Sequence, residues 1–128
     1  MQLVSGQKIA LNQLIQNDKK FTLRVQFKAS FDVDISSFGV GQKDKLFNDD
    51  YMTFYNQLKT PKCEVQYSQQ GNLNLFTFDL NKIDVSQTPR FVICATVAND
   101  QATMQNIQSG QIDLVNQQGE VLAIYQLN

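Results

Sequence analysis

Hydrophobic and polar residues alternate along most of the chain, which is the pattern of β-strands. From Phe21 to Phe27, apolar side chains occupy every second position. Successive side chains of a strand point to opposite faces, so this period places them on one buried face. Residues 74–80 are also rich in β-forming residues. We predict a strand in each of these two segments.

Residues 90–98 differ because they are almost continuously apolar. Such a run is typical of a central strand that is covered on both faces, and we predict one here. Residues 112–116 and 121–125 flank a short polar loop that contains Gly119. This arrangement predicts a C-terminal β-hairpin. Weaker strand patterns occupy residues 8–11, 35–40, 53–56 and 64–67.

Short strands at intervals of about ten residues, separated by polar turns, indicate an antiparallel β-sandwich or barrel, and we predict the sandwich. The acidic residues support an all-β fold, since ten Asp and only two Glu disfavour long helices. We expect helix only in short turns near residues 81–84 and 101–105. The 128 residues fit one domain, residues 1–128. The predicted core consists of Phe21, Leu23, Val25, Phe27, Phe38, Phe54, Phe76, Phe78, Val92, Cys94, Thr96 and Leu122.

Composition excludes several functions. Eleven basic and twelve acidic residues give a net charge of -1, which argues against nucleic acid as a partner. The chain has no His, so it lacks the usual general base and all His-based metal sites. No apolar run reaches the length of a membrane helix, and we expect no insertion into a membrane. Residues 1–8 lack a signal-peptide pattern, so we expect a cytoplasmic protein whose two cysteines, Cys63 and Cys94, are reduced.

The strongest candidate for a binding site is the pair Asp32 and Asp34. Residues two apart on a strand share a face, so both carboxylates and the hydroxyl of Ser36 would point to one side. Neighbouring carboxylates repel each other unless a cation neutralises them, and Ca²⁺ is bound by such oxygens. The alternative is that both acids face water and bind nothing, and the motif alone favours this alternative. Seven of the other acids are expected in solvated loops, turns or caps: Asp44, Asp49, Asp50, Asp79, Asp84, Asp100 and Asp113.

Six segments resemble, in chain order, segments typical of the TerD family of tellurite-resistance and stress proteins. Residues 31–40, FDVDISSFGV, are similar to the family's F-D-L-D-A-S-x-F run. Residues 50–61 are similar to its F-x-F-Y-N-[NQ]-x-x-S-P run, in a form closest to TerA-type members. The other similar segments are residues 5–11, 78–83, 91–97 and 119–127.

The resemblance implies a cytosolic β-sandwich without catalytic activity, linked to tellurite resistance and other chemical stress. It also places Asp32 and Asp34 on ligand positions of the family's calcium site. The family's long acidic loop, however, corresponds here to residues 68–74, which contain no acid. A calcium site needs about six to eight oxygens, so we expect calcium to bind weakly or not at all. The family's usual C-terminal extension, which contains a Trp, has no counterpart in this chain.

We therefore predict a non-enzymatic binding or scaffold module whose partners are other Ter-type stress proteins. The alternative is a ligand- or carbohydrate-binding β-sandwich that uses Asp32 and Asp34 for calcium or sugar hydroxyls. An enzyme ranks third, because the sequence offers no convincing pair of nucleophile and base.

Overall fold

The computed structural model describes residues 1–28, 32–97 and 109–127. Within these ranges the chain forms a short helix, α1 (Leu11–Ile15), and two 3-10 turns, Gln42–Asp44 and Asp49–Tyr51. The strands are β1 (Gln2–Leu3), β2 (Lys20–Lys28), β3 (Val33–Val40), β4 (Met52–Thr53), β5 (Val65–Gln70), β6 (Leu73–Asp79), β7 (Arg90–Val97), β8 (Ser109–Val115) and β9 (Val121–Leu127).

The strands form two sheets. The larger sheet has the order β1-β9-β8-β2-β6-β5, and the smaller sheet has the order β4-β3-β7. All pairs are antiparallel except β1 with β9. The structure therefore confirms the all-β antiparallel sandwich.

The core lies between the two sheets, and the alternation in β2 explains its position. Phe21 and Val25 are buried, and Phe21 stacks on Phe78 of β6 with 5.0 Å between ring centroids. The smaller sheet contributes Ile35, which is 3% exposed. Residues Leu23 and Phe27 are partly buried against the same cluster. The strict period-2 pattern of β2 thus identified its buried face correctly.

The prediction for residues 90–98 was wrong in one respect. Arg90–Val97 do form a strand, but β7 pairs only with β3 among the described strands, so it lies at the edge of that sheet. Its inner face carries Phe91, Ile93 and Ala95, which pack on the core. Val92 instead points outward and is 44% exposed. A continuously apolar run carries no period, so the sequence could not indicate which face is inside.

Four other residues of the predicted core are also less buried than we predicted. Thr96 is exposed and Cys94 is only half-buried, because both share the outer face with Val92. Phe38 lies opposite Val92 in the register and is also only half-buried. Phe54 is half-buried in the turn after β4.

Three local predictions were also wrong. Residues 8–11 form no strand, because Leu11, Leu14 and Ile15 have the spacing of one helix face and pack on the core. The predicted strand 53–56 ends at Thr53, since reciprocal backbone hydrogen bonds of 2.9 and 3.1 Å join residues 54 and 57. Residues 81 and 82 form a turn, and residues 83 and 84 have no regular secondary structure, so no helix forms at 81–84. The predicted helix 101–105 lies outside the described residues.

Both cysteines are free thiols, as expected. In the described part of the chain, no helix is long and apolar enough to cross a membrane.

Candidate functional site

The two predicted ligands, Asp32 and Asp34, lie where β3 begins. Asp32 precedes the strand, and Asp34 is its second residue. Both are exposed. Asp32 lines a cleft of about 330 Å³ together with Lys28 and the β5–β6 hairpin. Asp34 lines an adjacent cleft of about 300 Å³. The two carboxylates therefore line separate clefts, and Ser36, which is 8% exposed, lines neither.

The β5–β6 hairpin lines both clefts, through Gln69 and Asn74. Gln70 pairs with Leu73, so only Gly71 and Asn72 form the turn. Gly71 has a φ of 61°, and the tight hairpin turns that match the strand twist require a positive φ at this position. The resemblance aligns the family's long acidic loop with residues 68–74. The structure shows two paired strands and a two-residue turn at this place, which leaves no room for such a loop.

A hydrogen-bonded chain fixes the floor of the clefts. The hydroxyl of Tyr67 donates to Oδ1 of Asn74 at 2.5 Å, and Nδ2 of Asn74 donates to the carbonyl of Val25 at 3.3 Å. Burial raises the pKa of Tyr67, and the negative charge of nearby Asp34 raises it further. Tyr67 and Asn74 are therefore polar and uncharged at neutral pH.

Among the described residues, the oxygens at these clefts supply only part of the ligand set of a calcium ion. Two carboxylates in separate clefts supply fewer than the six to eight oxygens that Ca²⁺ takes. Oδ1 of Asn74 and Oδ1 of Asn72 already accept hydrogen bonds from Tyr67 and Gln26. In the ranges that the structure describes, no group of three or more Cys, Asp or Glu side chains is arranged to hold a metal. Asp100, which we expected in a loop or turn, lies outside those ranges.

The other acids have the structural roles that we expected, with one exception. Asp44, Asp49 and Asp50 are exposed, and Asp44 forms an ion pair with Arg90. Asp79 and Asp84 accept hydrogen bonds from the backbone amides two residues ahead, which is the geometry of turns. Asp113 is the exception, since it lies within β8 rather than in a turn.

The side chain of Asp113 pairs across the sheet with Arg24. The distance between Nη2 of Arg24 and Oδ2 of Asp113 is 3.0 Å. A third residue joins this pair, because Nε2 of Gln111 donates to Oδ1 of Asp113 at 2.7 Å. The outer face of the larger sheet is therefore held together by polar contacts.

The structure also reveals a buried polar cluster that the sequence did not suggest. Glu64, which is 2% exposed, accepts a hydrogen bond of 2.7 Å from the amide of Lys62 and another from the hydroxyl of Tyr51. The hydroxyl of Thr60 accepts a hydrogen bond of 2.9 Å from the backbone amide of Val65. Tyr51 and Glu64 are 13 positions apart in irregular segments, so no periodic signal connects them.

The hydrogen bonds of this cluster determine its ionisation. Burial by itself raises the pKa of Glu64, but the bonds from Tyr51, the backbone and Thr60 outweigh it, so that the pKa is lowered below 4.5. The bond to Glu64, together with burial, raises the pKa of Tyr51 to about 12. Glu64 is therefore a buried carboxylate at neutral pH, and Tyr51 is its neutral donor. The cluster joins the loop before β4 to the start of β5.

The fold and the site together define a class of protein: an all-β sandwich with two polar clefts at one end, each lined by an Asp side chain. The sequence model of the TerD domain matches residues 1–128, and the chain belongs to the TerD family. The match is to the family as a whole, so the resemblance to TerA-type members stays a prediction. A comparison with curated proteins finds no match to this chain.

Proposed function

We propose that this chain is a non-enzymatic binding or scaffold module of the tellurite and chemical stress response, and that it acts in the cytoplasm by docking other Ter-type stress proteins. Membership of the TerD family supports the pathway. The absence of His from the sequence supports a role other than catalysis. The docking surface is proposed from the difference between the two outer faces of the sandwich.

The middle of the outer face of the smaller sheet is apolar, between Arg90 at one end and Thr96 and Asp34 at the other. Phe38 lies between Met52 of β4 and Val92 of β7 in the register, and Cys94 follows along β7. We call Met52, Phe38, Val92 and Cys94 the outer patch. Contiguous exposed apolar surface is typical of protein interaction sites. The outer face of the larger sheet carries the polar contacts of Arg24 and Asp113 instead. This contrast is the observation that carries the proposal.

Replacing Val92 with Lys should weaken binding to a Ter-type partner by about tenfold, because a charge at the centre of an apolar interface cannot be desolvated cheaply. Val121 provides a matched control, because it is 43% exposed and Val92 is 44% exposed. It lies on β9 of the other sheet. Purified Ter-type proteins would be titrated into wild type, Val92→Lys and Val121→Lys by calorimetry. An equal loss in both variants, or no binding by wild type, would contradict the proposal.

Calcium is expected to bind only weakly at Asp32 and Asp34. Two carboxylates predict a Kd on the order of 1 mM, so ~1 mM Ca²⁺ would stabilise the fold by about 0.4 kcal/mol. The melting temperature should therefore hardly change, and the double variant Asp32→Asn, Asp34→Asn should fold normally. Calorimetry and thermal unfolding with and without Ca²⁺ measure both quantities. Micromolar binding that the double variant loses would overturn this expectation.

Carbohydrate binding is the second candidate function, and Tyr55 favours it. This side chain is 58% exposed and lines the same cleft as Asp34, Gln69 and Asn74. An exposed aromatic ring beside carboxylate and amide groups can stack on a sugar while the polar groups bind its hydroxyls. A glycan array with wild type and Tyr55→Ala tests this candidate. Binding that requires Tyr55 but tolerates Val92→Lys would favour it over the scaffold role.

A further inference from the structure

Strand β3 is only partly paired along the edge that faces away from β7. On this edge, β4 pairs with Ser37 and Phe38. Within the described ranges, no strand pairs with the first half of the edge, residues 33–36. The reason lies in the chain that follows β4. It does not continue along β3, because two reciprocal backbone hydrogen bonds close a turn at residues 54–57.

The hydrogen bonds of β3 show which backbone groups point to this open edge. The carbonyl of Gly39 accepts a hydrogen bond of 2.9 Å from the amide of Phe47, which lies on the side away from β7. The register of β3 with β7 is unbroken, so the direction of the backbone groups alternates from one residue to the next. The N–H and C=O groups of Val33 and Ile35 therefore point to the open edge, as those of Gly39 do.

The edge of β5 faces the same cleft. The amide of Tyr67 donates to the carbonyl of Leu58 at 2.7 Å, on the side away from β6. The backbone groups of Gln69, two residues further along β5, point to that side as well. Val33, Ile35, Tyr67 and Gln69 all line the cleft of about 300 Å³ at Asp34. This cleft is therefore a slot between two sheet edges, with backbone donors and acceptors on both sides.

The charge at this cleft favours a basic occupant. Among the described residues that line it, Asp34 is the only one with a charged side chain, and Asp34 is exposed. Asp32 lies at the same end of β3, in the adjacent cleft with Lys28. On a strand added to β3, the residue opposite Asp34 would occupy a non-hydrogen-bonded position, where facing side chains lie closest. Opposite charges at facing positions stabilise a sheet.

We propose that the open edge of β3 binds an extended segment of a partner protein, which pairs with Val33 and Ile35 as an added strand and places a Lys or Arg opposite Asp34. The two residues beside this cation are apolar, because Val33 and Ile35 pack on the core and facing side chains share a face. In this mode of recognition, backbone hydrogen bonds provide affinity and alternate side chains provide specificity. The outer patch is a different surface and is tested with different probes, so either proposal can fail alone.

Three peptides of equal length test the proposal. The first is acetyl-Lys-Val-Lys-Val-Lys-amide. The second has Glu in place of each Lys, and the third keeps the Lys residues but carries an N-methyl group on both valines. Each would be titrated into the isotopically labelled chain and followed by NMR and amide hydrogen exchange. The first peptide should bind saturably and slow the exchange of the Val33 and Ile35 amides. The amides of Asp34 and Ser36 point to β7, so they are protected without peptide and serve as internal controls.

The expected affinities follow from the contacts that each change removes. The Glu peptide should bind about tenfold more weakly than the Lys peptide, since repulsion from Asp34 replaces attraction. N-methylation should weaken binding about thirtyfold, because it removes two hydrogen-bond donors of the added strand. Asp34→Asn should weaken the Lys peptide about threefold. Glu120→Gln, which removes an exposed acid from the turn between β8 and β9, should leave its affinity unchanged. Both substituted residues are exposed, so both variants should fold.

Each part of the proposal has its own contrary result. Failure of the Lys peptide to bind saturably, or binding that tolerates N-methylation, would overturn the added strand. Slow exchange at Val33 and Ile35 without peptide would show that this edge is already paired, and would overturn it too. Equal affinity for the Lys and Glu peptides, or equal losses in Asp34→Asn and Glu120→Gln, would overturn the role of Asp34. Saturable binding that slows the two amides and is weakened by N-methylation and by Asp34→Asn would establish the edge as a peptide-binding site.

Discussion

Truncation of Phe76 to Ala is expected to lower the free energy of unfolding by about 3–5 kcal/mol. Phe76 is 0% exposed and lies in the middle of β6, opposite Leu23 of β2 on one side and Tyr67 of β5 on the other. Its ring centroid is 5.0 Å from that of Tyr67. The variant would lose both the transfer free energy of the ring and the contacts around the cavity that remains. Urea unfolding followed by far-UV circular dichroism measures the change.

Phe47 supplies the matched control for this prediction. It is 39% exposed and contacts Tyr51 edge-on at a centroid distance of 5.2 Å. Phe47→Ala removes the same atoms from a partly solvated site, so we expect less than half of the loss seen in Phe76→Ala. Similar losses in the two variants would show that burial in this sandwich does not follow the core assigned here.

The sequence predicted the strands well where the period was explicit. In β2 the alternation was strict, and both the strand and its inner face were correct. In β7 the strand was correct but its inner face was not, because Val92, Ile93 and Cys94 are all apolar and only their neighbours in β3 decide the orientation. Helix α1 was missed since its five residues contain too short a pattern to distinguish from a strand.

The candidate site was predictable only in its composition. The sequence identified Asp32 and Asp34 as a pair of acids and residues 68–74 as lacking acids. It could not show that β3 begins at Val33, which leaves Asp32 outside the strand and places the two carboxylates in separate clefts. The contact of Tyr51 with Glu64 depends on how two irregular segments pack, and no short-range pattern encodes that.

The buried cluster leads to the second large prediction: Glu64→Ala should lower the free energy of unfolding by about 3 kcal/mol at neutral pH. The change leaves the hydroxyl of Tyr51 and the amide of Lys62 without an acceptor, and an unsatisfied buried polar group costs about 1–3 kcal/mol. Glu120→Ala is the matched control, because Glu120 is the other Glu of the chain and is exposed. We expect a change of less than about 0.5 kcal/mol there.

The pH dependence of Glu64 distinguishes loss of its charge from loss of its packing. Its pKa is below 4.5 in the folded state and close to 4.5 in the unfolded state, so the unfolded state binds the proton first as the pH falls. The stability that the carboxylate contributes is therefore present above pH 4.5 and is lost as the pH falls through the folded-state pKa. Glu64→Gln keeps the shape but cannot ionise, so its free energy of unfolding should fall less steeply than that of wild type over this acidic range. Parallel curves for wild type and Glu64→Gln in urea titrations from pH 6 to about pH 3 would contradict a buried, ionised Glu64.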